Sequence, residues 1–179
     1  MISRKHWFAK PTIFNDPFEF KLKTPTEQNL VKGITVLRKD NPHLIRLTDY
    51  EILLVAQQNL QTEINDFGIV CFTEEKDNIL MWSHYTNCHN GICLGFEIDD
   101  SQMEIRKIEY SQNYPDLDFE DIWSASGTMK ILLTKSIEWQ YEKEWRSIKV
   151  TGNELKGYSG KLVGVIFGCR TAKMRLKKY

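Results

Sequence analysis

Ile79-Leu80-Met81-Trp82-Ser83-His84-Tyr85-Thr86-Asn87-Cys88-His89-Asn90-Gly91-Ile92-Cys93-Leu94-Gly95-Phe96-Glu97-Ile98 is the stretch that sets the fold class. Asp77 or Asn78 can cap a helix from Ile79 to about Asn87. Met81 and His84 share one helical face, as do Trp82 and Tyr85. Gly91 reads as the C-terminal stop. The pattern then switches to a short apolar run, Ile92 to Ile98, with the composition of a buried strand. Helix and strand follow each other without a linker, which points to an α+β domain.

The same reading extends outward. Phe67–Thr73 is a second buried strand. Glu104–Tyr110 alternates as a strand, and the short Asp99-Asp100-Ser101 turn predicts a hairpin with Ile92–Ile98. Lys5–Ala9, Ser147–Val150 and Lys161–Gly168 read as strands, the last a core strand, with Asn153–Gly160 a loop before it. Pro25–Arg38 reads as a helix ended by Asp40-Asn41-Pro42. Thr48 and Glu51 form a capping-box pair for a second helix, with Ile52, Leu53, Val55, Ala56, Leu60 and Ile64 as its apolar positions. Phe119–Leu133 reads as a helix weakened at Ser124-Ala125-Ser126-Gly127, and Thr171–Tyr179 as the start of a basic helix. The expectation is one α+β domain over residues 1–179, with a central, mainly antiparallel sheet and helices packed on it.

Composition narrows the function classes. A chain of 179 residues can bury a sizeable core, and 41% hydrophobic with 27% charged residues is an ordinary globular balance. Lys plus Arg number 24, as do Asp plus Glu, so net charge gives no argument for nucleic acid or an anionic membrane. No apolar run could span a bilayer and no signal core follows the N-terminus, so a cytoplasmic location is expected. The four cysteines lack CxxC spacing and read as free thiols. The sequence contains no GxGxxG, Walker loop, HExxH or GxSxG motif.

Three clusters can carry chemistry. The helix offers Trp82, His84, Tyr85 and His89. Their plain reading is core packing for the aromatics and hydrogen-bonded histidines near a helix end. His84 and Cys88 are four apart, but the ligand count falls short of a zinc set, so no metal is assigned. The second cluster is Trp139-Gln140-Tyr141-Glu142-Lys143-Glu144-Trp145-Arg146. If extended, it puts Glu142, Glu144 and Arg146 on one face, a pattern suited to acid–base work or to stabilising a cation. Its plain reading is an edge strand with solvated charges. The third is Phe14-Asn15-Asp16-Pro17-Phe18-Glu19, an Asx-type turn pinned by aromatics. It is either a rigid connector or a loop pointing Asn15 and Asp16 into a site.

Taken in order, the FNDPFE turn, Cys71-Phe72-Thr73, Met81-Trp82-Ser83-His84-Tyr85 with His89 and Gly91, Lys135–Trp139 with Tyr141–Arg146, and Val165–Arg170 resemble a bacterial family known as domain of unknown function 2971. Members usually begin with an extra strand ahead of the FNDPFE turn, which this chain starts too late to include. They also continue through a helix after the last strand, inside which this chain ends. A fold-level likeness to NAD-using ADP-ribosyltransferases adds a chemistry: a late glutamate steadies a positive ribosyl transition state, and an earlier strand with aromatics holds the nicotinamide. That likeness implies NAD as the ligand, Glu144, Glu142 and His84 as catalytic residues, and Asn15, Asp16, Trp82, Tyr85, His89 and Arg146 as binding residues.

Three functions stay open at this point. One is an NAD-cleaving or ADP-ribosyl-transferring enzyme, such as a toxin or phage-defence effector. Another is a metal-dependent phosphoester hydrolase using Asp16, His84, His89 and Glu142. The third is a non-catalytic interaction domain. A small molecule or nucleotide is the expected partner, with a homo-oligomer if apolar edges need covering. The first reading expects the FNDPFE turn, the Trp82–His89 segment and the Glu142–Arg146 strand to form one cleft.

Overall fold

The computed structural model describes residues 5–23, 27–98, 105–157 and 160–171. Glu104 and residues 172–179, where one strand start and the basic helix were expected, lie outside them. The described elements are mixed, and the α+β class holds. Strands β1 (Lys5–Phe8), β2 (Gly68–Thr73), β3 (Ile92–Glu97), β4 (Ile105–Lys107), β5 (Glu109–Ser111), β6 (Thr134–Ser136), β7 (Glu144–Lys149), β8 (Glu154–Gly157) and β9 (Lys161–Phe167) alternate with helices α1 (Glu27–Asp40), α2 (Asp49–Asp66), α3 (Ile79–His84), α4 (Phe119–Ile122) and α5 (Ala125–Leu132).

Among the described residues the strands form four small sheets rather than one broad one. Antiparallel β2-β7-β4 is the centre; β1-β8 and β3-β9 are antiparallel pairs, and β5-β6 is a short parallel pair. The expected hairpin is therefore a correction. The strand after β3 pairs with β7 instead, and β3 pairs with distant β9. The alternating run also breaks at Ile108, which is buried while β4 and β5 go to different sheets. Burial of β7 from both sides outweighs the short-loop preference of a local hairpin. The loop expected at Asn153–Gly160 contains β8, held by β1.

Helices α1, α2, α4 and α5 share one apolar core. Thr48 caps α2 in a capping box with Glu51. Ile52, Leu53, Ala56, Leu60 and Ile64 enter the core with Phe20, Ile34, Ile69, Ile131 and Leu132. Val55, expected there, is exposed. The weak centre predicted near Ser124 is a break: Ser124 accepts from the Gly127 amide and starts α5. A Cβ on Gly127 would lie 2.0 Å from the Asp121 carbonyl oxygen, so α4 and α5 approach only through glycine. The strands β3 and β9, read as buried, leave Ile92, Leu94, Val163, Val165 and Phe167 exposed.

The α3 segment ends earlier than expected. Its C-cap is Tyr85, and the left-handed residues are Cys88 (φ 47) and His89 (φ 67), not Gly91. The Trp82 carbonyl accepts from both the Thr86 hydroxyl and the His89 amide, which turns the chain before the glycine is reached.

Gly127→Ala is expected to cost about 1–3 kcal/mol, as overpacking of a closed contact does. Urea unfolding measures it, and an unchanged midpoint would show that α4 and α5 can separate freely.

Candidate active-site cleft

The site begins with β7. Glu144 and Arg146 lie two apart on one face, opposite Thr73 and Cys71 of β2. Glu142 arrives differently, from the end of a 3-10 helix, Ile137–Glu142. Lys143 then takes a left-handed conformation (φ 43), and the chain enters β7. The extended reading of Glu142 is thus corrected, yet both carboxylates still meet one partner. That partner is Lys135 of β6, whose ammonium donates to Glu142 Oε2 at 2.6 Å and Glu144 Oε2 at 2.7 Å.

The network continues in both directions. Arg146 Nε donates to Glu144 Oε1 at 2.7 Å, and its Nη1 to the Leu132 carbonyl at 2.6 Å. Its Nη2 binds Glu19, and Phe20 lies under the guanidinium at 4.8 Å. On the other side the Tyr85 hydroxyl donates to Glu142 Oε1 at 2.8 Å. The edge-strand reading of solvated charges is overturned. Arg146 is 0% exposed, Glu142 and Glu144 each 2%, Lys135 6% and Glu19 7%.

Burial and neighbours set the proton affinities. Burial lowers Arg146 to about 9, with the Asp16 charge opposing, so the guanidinium remains charged at neutral pH. Burial alone would lower Lys135, but the Glu144 charge and hydrogen bonds to Glu142 and Glu144 outweigh it and hold the ammonium above its ordinary range. Burial raises Glu144, against Lys135 and Cys71. Burial also keeps the Tyr85 phenol far from ionising, reinforced by Glu142, so Tyr85 is a neutral donor. Cys71 is open to solvent at the cleft floor. Even so, the protein atoms crowding it, then the Glu144 carboxylate, push its thiol well up, which makes it a poor nucleophile.

Glu142 and Glu144 face a cleft of about 510 Å³ between β2, β3 and α3. Its wall is largely apolar, with Phe72, Phe96, Met81, Trp82 and Ile166. Phe72 and Phe96 meet edge-to-face at 6.2 Å, with His6 at 5.0 Å from Phe96. The size and the few convergent polar groups suit a small ligand.

The predicted residues divide. Glu142, Glu144, Tyr85 and Trp82 line this cleft, with Arg146 directly behind it. Asp16 lines a separate cavity of about 780 Å³, which Glu19 and Lys135 also line, and its carboxylate accepts from the Phe18 amide, as the Asx turn predicts. Asn15 is exposed and lines neither space. His84 is also outside both, its ring edge-on to Trp139 at 5.9 Å. His89 lies 3.0 Å from Ser83 Oγ. Ser83 Oγ also donates to the Ile79 carbonyl at 3.0 Å, so the Ser83–His89 contact belongs to the turn that follows α3. The FNDPFE turn thus reaches the network through Glu19, not through Asn15. Lys135 and Glu19 stood inside the quoted motifs, but no spacing rule linked them to Glu142–Arg146.

One comparison finds a match over part of the chain. The sequence model of a family described as Protein of unknown function (DUF2971) matches residues 81–147. Over that stretch the chain is consistent with a DUF2971 family member. The matched residues run from Met81 through Ser147 and so include Trp82, Tyr85, Lys135, Glu142, Glu144 and Arg146. The FNDPFE turn and Val165–Arg170 lie outside the DUF2971 match. No curated protein and no solved structure matches the chain. Among the described residues no helix is long and apolar enough to cross a membrane, and no group of three or more His, Cys, Asp or Glu could hold a metal ion.

Lys135→Met removes one partner of a buried ionic cluster and is expected to cost about 3–5 kcal/mol. The folded-state pKa of Lys135 is raised, so its contribution is present below the ordinary value of 10.5 and lost as pH climbs through the higher folded value. The stability gap between wild type and Lys135→Met should stay flat from neutral pH to about 10 and close only above it. A gap that closes near neutrality would show that Lys135 is not held charged.

Proposed function

We propose that the cleft cleaves or transfers an N-ribosyl group, with an NAD-type donor as substrate. The supporting observation is the charge count behind the cleft. Among the described residues Glu19, Glu142 and Glu144 are paired with Lys135 and Arg146, and the buried Asp16 also acts on Arg146, so the carboxylates of this cluster outnumber its cations. That excess sits as charge on the carboxylates or as a proton on Glu144, whose affinity burial raises. A positive group arriving in the cleft balances it. The fixed, water-poor setting makes such stabilisation strong.

In this reading the pyridinium ring of the donor lies against Phe72, Phe96 and Trp82. The bond from C1′ to the ring nitrogen breaks, and its electron pair leaves with neutral nicotinamide. Positive charge then develops on the ribose, and Glu142 and Glu144 face it. Water or an acceptor hydroxyl or amine bonds to C1′ and gives up its proton to solvent. Tyr85, a neutral donor, keeps Glu142 oriented toward the cleft. Depletion of NAD by such an enzyme would suit a toxin or a phage-defence effector acting in the cytoplasm. The phosphoester hydrolase has no comparable support among the described residues.

Purified protein should release nicotinamide from NAD. Glu142→Gln and Glu144→Gln should each lower turnover by about 10²–10³-fold, the loss expected on removing one electrostatic stabiliser of a transition state. Thermal unfolding confirms that each variant is folded. Wild-type protein that neither binds nor consumes NAD rules the proposal out.

A further inference from the structure

Among the described residues, the cleft of about 510 Å³ presents acceptors to a ligand far more than donors. Four carboxylates line it: Glu142 and Glu144, which Lys135 holds, and Glu74 and Glu75, which follow β2. The side-chain donors beside them already donate within the protein. The Thr73 hydroxyl donates to the Glu142 carbonyl, Tyr85 to Glu142 Oε1 and Thr86 to the Trp82 carbonyl. The Trp82 indole donates to the Lys76 carbonyl at 2.8 Å, and the Lys76 ammonium is held by Asp77 at 2.6 Å. Lys107 binds Glu74 at 3.1 Å, and Lys143 binds Glu75.

The backbone follows the same pattern. The Glu75 amide donates to Thr73 Oγ1 at 2.8 Å, and the Glu74 amide to the Lys143 carbonyl. At the start of α3 the Met81 amide donates to Asn78 Oδ1 and the Trp82 amide to the Asn78 carbonyl. A phosphate carries negative charge and only accepts hydrogen bonds, so it needs open amides or free cations. At this wall it would meet carboxylates instead. An apolar cleft lined by one sign of charge concentrates that field on whatever enters. A cation that brings its own hydroxyl and amide donors matches the lining, and a pyrophosphate does not.

On the ribosyl-cleaving reading given above, we infer that the preferred donor is an unphosphorylated cationic N-riboside of the nicotinamide riboside class, with Glu74 and Glu75 setting the preference. The C1′–N bond breaks and its electron pair leaves with nicotinamide. Water bonds to C1′ and releases one proton to solvent, so the products are ribose, nicotinamide and that proton. The dinucleotide is turned over more slowly, because its pyrophosphate lies against the acidic wall.

Nicotinamide release by the full chain, measured separately with nicotinamide riboside, nicotinamide mononucleotide and NAD, tests this preference. kcat/KM for the riboside should exceed that for each phosphorylated donor by about tenfold or more. Added salt should lower it, since screening weakens the pull of the wall on a cation, and should not lower that for NAD. Glu75→Gln, with its fold checked by thermal unfolding, should narrow the riboside-to-NAD ratio about threefold. Equal or faster turnover of either phosphorylated donor overturns the inference and leaves the cleft chemistry standing. So does a ratio indifferent to Glu75→Gln. Turnover of none of the three refutes the cleft chemistry itself, and the preference with it.

Discussion

The two short contacts made by Lys135 are the constraint around which the rest is arranged. One ammonium holds two carboxylates that would otherwise repel each other inside a low-dielectric space. Arg146 then binds one of those carboxylates and reaches across to Glu19. Through this chain of charges, β6, β7, the Ile137–Glu142 segment and the FNDPFE turn are fixed relative to one another. Apolar residues of similar volume could fill the same space at less desolvation cost.

The divided sheet creates that cleft. Ile69 exchanges backbone hydrogen bonds with Ala9, but the rest of β1 pairs with β8. β3 likewise pairs with β9 and not with β2. The opening between β2 and β3 is where Phe72, Phe96, Glu142 and Glu144 converge. A continuous sheet would have closed over them. The exposed apolar face of β3 and β9 accompanies this division, since a two-stranded sheet has only one partner surface to cover it.

Local devices were legible because each depends on neighbouring residues. The Thr48–Glu51 capping box, the Asn78 cap, the Asp16 turn and the break at Ser124 all follow from side chains bonding to a backbone group a few positions away. The end of α3 was misplaced because the hydroxyl of Thr86 and the turn at His89 capped it before Gly91 could. Asn15, His84 and His89 were chemically attractive, but reactivity depends on what surrounds a side chain. These three look outward or onto other partners.

What the sequence determined by itself was the mixture of helices and strands and their approximate ends, because these depend on periodicity and short-range hydrogen bonding. Which strands pair, and that Lys135 joins Glu142 to Glu144 while Glu19 joins Arg146, was decided only in three dimensions. Arg146 and Glu19 are 127 positions apart in the chain. An ion pair at that separation has no local signature. It forms because a charged group that the core buries must find its counter-charge wherever the packing brings one.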